Sequence, residues 1–166
     1  NVPPVAWAAA DGLRLSSDCA EPIVDGGELR VDDALCDEVF LLKIVPGTKP
    51  ELFDMLLKMK YRGLVVEAFG AGGIHDVERD LTIGVAALVE AGIPVVVCSQ
   101  CLYGKIDLAV YEVGRRLRAC GVIPGADMTT EAAVVKLMWA LGKTRNMSEI
   151  AAMFTTNYAG EIAASR

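Results

Sequence analysis

"VFLLKIVPGTKPELFDMLLKMKYRGLVVEAFGAGG", residues 39–73, holds the unit from which the fold is read. Its first seven residues, apolar apart from Lys43, form a run that stops at Pro46-Gly47. A run of that length before a turn signal suits a strand buried on both faces. Thr48-Lys49-Pro50-Glu51 reads as a capping box with proline in the first turn of a helix. Leu52, Met55, Leu56 and Met59 follow at i, i+3, i+4 and i+7, which is one helical face. Gly63 closes the connection. Residues 64–69, LVVEAF, are a second strand running into Gly70-Ala71-Gly72-Gly73.

The same grammar continues downstream. A helix is expected over residues 77–90, with Leu81, Val85, Leu88 and Val89 on one face and Gly92 as its stop. Residues 93–99, IPVVVCS, are a third strand. Residues 111–119 suit a short helix. In "DMTTEAAVVKLMWALG", Thr129 caps a helix, Glu131 favours its positive end, and Val134, Leu137, Met138 and Leu141 form the stripe. Asn146 opens a last helix that reaches about residue 154.

Alternation of strand and helix predicts an α/β fold: an open parallel sheet of about four strands, with right-handed crossovers and helices on both faces. Upstream, Pro3 and Pro4 mark residues 1–12 as linker. "LRLSS" and "ELRVDD" flank Asp25-Gly26-Gly27 and suggest a hairpin within residues 11–36. The expected organisation is a linker and hairpin over residues 1–38 and an α/β domain over residues 39–166. The opening at Asn1 suggests a piece of a larger protein, cut at a domain boundary.

Composition narrows the function classes. The chain has 166 residues, 53% of them hydrophobic, enough for one domain with a sizeable core. Glu67, Glu90 and Lys136 break the apolar runs well short of a membrane span, and no signal peptide opens the chain. The formal net charge of −6 argues against nucleic acid, which needs a basic face. Five cysteines, an odd number, and no secretion signal suggest a reducing cytoplasm.

Open α/β sheets bind ligands beyond the carboxyl ends of their strands. The loops there are Phe69-Gly70-Ala71-Gly72-Gly73 and Ser99-Gln100-Cys101-Leu102-Tyr103-Gly104. The first is not a dinucleotide fingerprint, because position 75 is histidine and the loop follows the second strand. Its glycines either permit a tight turn or let a small polar ligand or a partner's backbone approach. The second contains C-x-x-C. Zinc would need further ligands in matching spacing, which Cys19, Cys36, Cys120 and His75 do not supply. A redox pair belongs at a helix N-terminus, whereas Cys98 still belongs to the strand. No cofactor or metal is implied. His75, the lone histidine, lies beside Asp76 near an expected helix start, where a surface or capping role is commoner than that of a base. Lys105 and Asp107 read as solvated loop charges. These residues do not form a complete catalytic set.

"CSQCLYGKIDLAVYEVG" followed by "GVIPGADMTTEAAVVKLMWALG" resembles the C-terminal domain of the cytoplasmic, type I bacterial L-asparaginases. The glutamyl-tRNA amidotransferase D chain is a close relative of that family. "NVPP", "LKIVPG", "EAFGAGG" and "TNYAGE" extend the resemblance over nearly the whole chain. It implies a two-domain amidohydrolase whose N-terminal domain carries the threonine nucleophile and releases ammonia and L-aspartate from L-asparagine. Neither a T-G-G-T nor a T-D-T motif occurs here. The resemblance therefore implies that catalytic residues lie outside this chain, in an absent N-terminal domain, and that the isolated chain is inactive.

Residue by residue, it implies that Phe69, Gly70, Gly72, Gly73 and Tyr111 border the substrate. Some members carry asparagine where Gly73 stands. It further implies an effector site at Ser99, Gln100 and Cys101. Glu67 occupies the place of an arginine that assists there. Homodimers or homotetramers are the implied assembly. A D-type glutamyl-tRNA amidotransferase component and an amino-acid-binding regulatory domain are the alternatives.

Overall fold

The computed structural model describes residues 6–15 and 31–163. The chain divides into two compact units, residues 2–33 and residues 34–166. In the first, β1 (Ala6–Ala9) pairs antiparallel with β2 (Gly12–Leu15). Part of the expected linker is thus a hairpin. The turn falls at Ala10-Asp11, and Gly12, at φ +130°, supplies the conformation it needs. The expected turn at Asp25-Gly26-Gly27 lies outside the described residues.

The second unit holds a four-stranded parallel sheet: β3 (Val39–Lys43), β4 (Gly63–Ala68), β5 (Val95–Ser99) and β6 (Ile123–Pro124), in that spatial order. The connections carry α1 (Glu51–Lys58), α2 (Leu81–Glu90) and α3 (Glu112–Ala119), and α4 (Thr130–Lys143) and α5 (Met147–Thr155) follow. Two cores form. Leu64, Val66, Val95 and Val97 face α1, α2 and α3 through Phe53, Leu56, Leu81, Val85, Leu88 and Leu117. Val65, Val96 and Cys98 face α4 and α5 through Leu137, Ala140, Leu141, Ile150 and Phe154. Alternate residues of β4 and β5 therefore enter opposite cores, as the pleat requires, and helices cover both faces. The strand order never reverses, so the sheet has no switch point of its own, and the loops at the carboxyl ends of its strands are the candidate site.

Several local expectations change. β3 is an edge strand, not a strand buried on both faces: Leu41 and Lys43 are exposed. Thr48 forms no capping box. Its hydroxyl turns back and accepts the Val45 N–H at 2.9 Å, leaving Pro50 at the N-cap position without a side-chain cap. The buried face of α1 is rotated toward Phe53 and Leu56, while Met55 and Met59 are exposed. Gly84 of α2 makes the difference: a Cβ there would stand 2.5 Å from the Phe53 ring, so only glycine admits that ring. α2 starts at Leu81, later than expected, because Asp80 caps it by accepting the Thr82 N–H at 2.9 Å. Arg116 of α3 pairs with the Asp80 carboxylate and ties the two helices. Burial raises the Asp80 pKa, but hydrogen bonds from Thr82 and Arg116 outweigh it and leave it below the usual value.

α4 starts as expected, with the Thr129 hydroxyl accepting the Ala132 N–H. It also buries Lys136, only 7% exposed, on the face toward α5 and the C-terminal strap. The ammonium donates to Thr156 O at 2.6 Å and to Glu161. It lies 5.6 Å and 5.1 Å from the ring centroids of Phe154 and Tyr158. Glu161 also accepts the N–H groups of Tyr158 and Ala159. The strap continues until Ala163 N–H donates to Asp127, next to the loop that leads into α4.

Candidate functional site

The exits of β3, β4 and β5 are bound into one polar rim. After β4, the chain closes on itself. Phe69 and Gly73 exchange both backbone hydrogen bonds at 2.8 Å, and Gly72 N–H also reaches Phe69 O at 3.0 Å. Gly70 stands at φ +50° and Gly72 at φ +122°. A Cβ on Gly72 would meet Leu108 Cδ2 at 2.7 Å, whereas one on Gly73 would make only ordinary contacts. The turn explains two of the three glycines, and the third is not required by it.

After β5, Gln100 acts as a staple. Its backbone N–H donates to Ala68 O at 3.0 Å. Its side-chain amide donates to Ile44 O at 2.6 Å and Glu67 O at 2.9 Å, so two carbonyls fix which end of the amide faces the sheet. Ser99 donates from Oγ to Gly70 O at 2.7 Å and accepts the Cys101 N–H at 3.0 Å. Asp107 N–H donates to Ala71 O at 3.0 Å.

Glu67 faces α4. It accepts the Thr130 hydroxyl at 2.7 Å and pairs with Lys43 at 3.2 Å. Glu67, Ser99, Gln100, Cys101, Thr130 and Glu131 line a cleft of about 110 Å³. Two carboxylates enter its lining, but Glu67 is already paired with Lys43 and Glu131 lies in the first turn of α4.

The substrate and effector sets expected from sequence therefore adjoin each other, joined by the bond from Ser99 to Gly70. Tyr111 stands apart. It is the residue before α3 and is 52% exposed, and among the described residues no hydrogen bond ties its side chain to either loop. Thr130 and Lys43 were not expected in the site. The Thr129-Thr130 doublet was a visible signal, since one hydroxyl caps the helix and the other is left for Glu67. His75 Nε2 faces Val45 O at 3.3 Å, and its ring packs edge-on against Phe69. Because Ser99 is committed to a carbonyl and His75 sits elsewhere, they form no nucleophile–base pair. The rim can shape and bind, but it does not hold a hydrolytic set.

Nor is the C-x-x-C a thiol pair. Cys98 is buried in β5 and Cys101 is exposed in the loop, and both are free. Burial pushes the Cys98 thiol up to about 12, and the Glu67 carboxylate adds to the rise. In the native protein at pH 8, a thiol reagent such as DTNB is expected to label Cys101 quickly and leave Cys98 unlabelled until the chain unfolds. Peptide mapping after labelling reads this. Equal labelling of both would contradict the assigned burial.

Residues 38–154 match the glutaminase/asparaginase C-terminal domain family. The chain is 40% identical over 165 residues to an L-asparaginase of Thermococcus kodakarensis, covering 99% of this chain and 49% of that protein. It is 44% identical over 135 residues to the D chain of the glutamyl-tRNA(Gln) amidotransferase of Pyrococcus abyssi, covering 81% of this chain and 30% of that protein. The solved T. kodakarensis L-asparaginase superimposes with a TM-score of 0.86 at 40% identity, over 99% of this chain and 49% of that one. L-asparaginase I of Vibrio cholerae does so with 0.83 at 29% identity, with the same two coverages. The chain spans about a third of the amidotransferase relative and about half of the L-asparaginases.

Proposed function

The chain belongs to the glutaminase/asparaginase C-terminal domain family, and on that premise we propose that it is the C-terminal domain of a cytoplasmic, type I-like L-asparaginase. The whole protein hydrolyses L-asparagine to L-aspartate and ammonia. A threonine of the N-terminal domain attacks the side-chain amide, ammonia leaves, and water releases aspartate from the acyl-enzyme. Residues 39–166 are the α/β domain, and residues 1–38 lead into it. The domain contributes the rim at Phe69, Gly70, Gly72 and Gly73, Tyr111 at a contact between protomers, and surfaces for a homodimer or homotetramer. The T-G-G-T and T-D-T motifs do not occur in its sequence, so the isolated chain is inactive.

The observation that carries this reading is the whole-chain likeness to L-asparaginases, in sequence and in fold. A second reading has its own support. The amidotransferase D chain of Pyrococcus abyssi is no less similar to this chain in sequence over the residues it matches than the L-asparaginase is. Both readings use amide hydrolysis and differ in where the ammonia goes.

An effector at Ser99, Gln100, Cys101 and Glu67 belongs to the same proposal. Glu67 stands there in place of an arginine and is paired with Lys43, so it offers an amino acid's carboxylate no bidentate partner.

Ammonia release from L-asparagine and from L-glutamine by the full-length parent tests the reading. Turnover of asparagine by the parent alone is expected. Turnover that appears only with a second protein component and glutamylated tRNA would favour the amidotransferase. No turnover under either condition would end both readings.

A further inference from the structure

We infer that Ser99 is a positioning residue for the glycine loop, and through that loop for substrate binding. The second clause rests on the proposed function. Segment 99–108 grips three successive residues of the loop. Ser99 Oγ donates to Gly70 O at 2.7 Å, Asp107 N–H donates to Ala71 O at 3.0 Å, and Leu108 closes on Gly72.

Of these three, the contact at Gly70 depends on a single side-chain atom. A Cβ built on Gly70 would meet nothing within 4 Å, so side-chain packing does not hold this residue. Its φ of +50° is one that glycine leaves as readily as it adopts. The bond from Ser99 selects that conformation. The hydroxyl is itself fixed, because it accepts the Cys101 N–H while its proton goes to Gly70 O. A second observation concerns Gly104. A Cβ there would fall 2.6 Å from Ser99 Oγ and 2.8 Å from Cys101 Cβ. The second loop is therefore folded closely around this hydroxyl, and glycine at 104 leaves the space for it.

Substrate recognition then depends on a residue that need not touch substrate. Losing the hydroxyl frees Gly70 O and lets the loop sample other turns, while the staple made by Gln100 keeps the strands in register. Binding weakens and the chemical step is spared.

The test uses the full-length parent with Ser99→Ala and Ser99→Thr, which removes or keeps the hydroxyl. Ser99→Ala removes the bonds to Gly70 O and from Cys101 N–H, and loss of the one that reaches the glycine loop is expected to speed hydrogen exchange, read by mass spectrometry, about fivefold or more over residues 69–73. The peptide covering β4 is expected to stay at the wild-type rate, and Ser99→Thr to match wild type at both places. KM for L-asparagine is expected to rise about fivefold in Ser99→Ala, with kcat within about twofold. Unchanged exchange at residues 69–73 overturns the inference, as does equal loosening across the sheet. So does a looser loop with unchanged KM, or an equal loss in Ser99→Thr. A wild-type parent that hydrolyses neither amide sinks the asparaginase reading instead, and the exchange arm still decides whether Ser99 holds the loop.

Discussion

Lys136→Ala is expected to lower the unfolding free energy by about 3 kcal/mol or more, the range seen when one member of a buried ion pair is removed. The reason is the partner left behind. Glu161 is mostly buried and receives Lys136 together with the N–H groups of Tyr158 and Ala159. Without the ammonium its charge is stranded, Thr156 O loses its donor, and the rings of Phe154 and Tyr158 lose their cation. Urea denaturation at pH 7 reads the effect. The double change Lys136→Met with Glu161→Leu should recover much of the loss, because replacing both charges leaves no group unpaired. A single variant within about 0.5 kcal/mol of wild type would refute the clasp.

The pair also sets a pH dependence. Burial alone would raise the Glu161 pKa, but the hydrogen bond from Lys136 and those from the backbone outweigh it and hold the carboxyl at about 2, against an ordinary 4.5. A depressed folded-state pKa stabilises the native state above the unfolded value, and that stability is lost as pH falls through the window from 4.5 to 2. The wild-type chain should therefore lose stability across that window, and Glu161→Gln should lack this share of the loss.

Alanine in the glycine loop is expected to act in a strict order. Gly72→Ala is the severe change, costing about 2–3 kcal/mol, because it forces an L-residue to φ +122° and drives its Cβ against Leu108. Gly70→Ala costs about 1–2 kcal/mol, since φ +50° lies in the left-handed helical region and there is open space around the site. Gly73→Ala is close to neutral, with Phe69 O at 3.5 Å as the nearest atom. Denaturation midpoints of the three variants measure the order. On the proposed function, KM of the full-length parent for L-asparagine should follow the same ranking. If Gly73 proves the most sensitive, the loop is held by something other than the turn and the Leu108 contact.

Much of the sheet was legible because β4 and β5 are short apolar runs with turn residues at each end, and because both of their faces are buried. α4 and α5 were legible from their caps, Thr129 and Asn146, whose side chains bond as their positions imply. The misreadings have tertiary causes. The face of α1 was misjudged because the decisive pairing is Phe53 with Gly84, on a different helix. By contrast, the edge position of β3 does leave a mark in the sequence: Lys43 interrupts its apolar run, and its charge faces solvent where no further strand pairs. β6 is only two residues long and ends in proline, so no periodicity announces it. In the rim, the glycine loop and the S-Q-C segment were both visible, but their connection was not. Gln100 reaches a carbonyl 56 positions away, and Lys136 finds Glu161 25 positions on. Polar pairs at such separations carry no local pattern.

On the proposed function, this domain shapes one wall of an amide-hydrolysing site whose nucleophile lies in another domain. Steady-state ammonia release from L-asparagine, measured side by side for the full-length parent and the isolated 166-residue chain, tests it most directly. Turnover by the parent and none by the isolated chain is expected. Turnover by the pure, intact chain alone would contradict it, because its described loops hold Ser99 on a backbone carbonyl and His75 away from it.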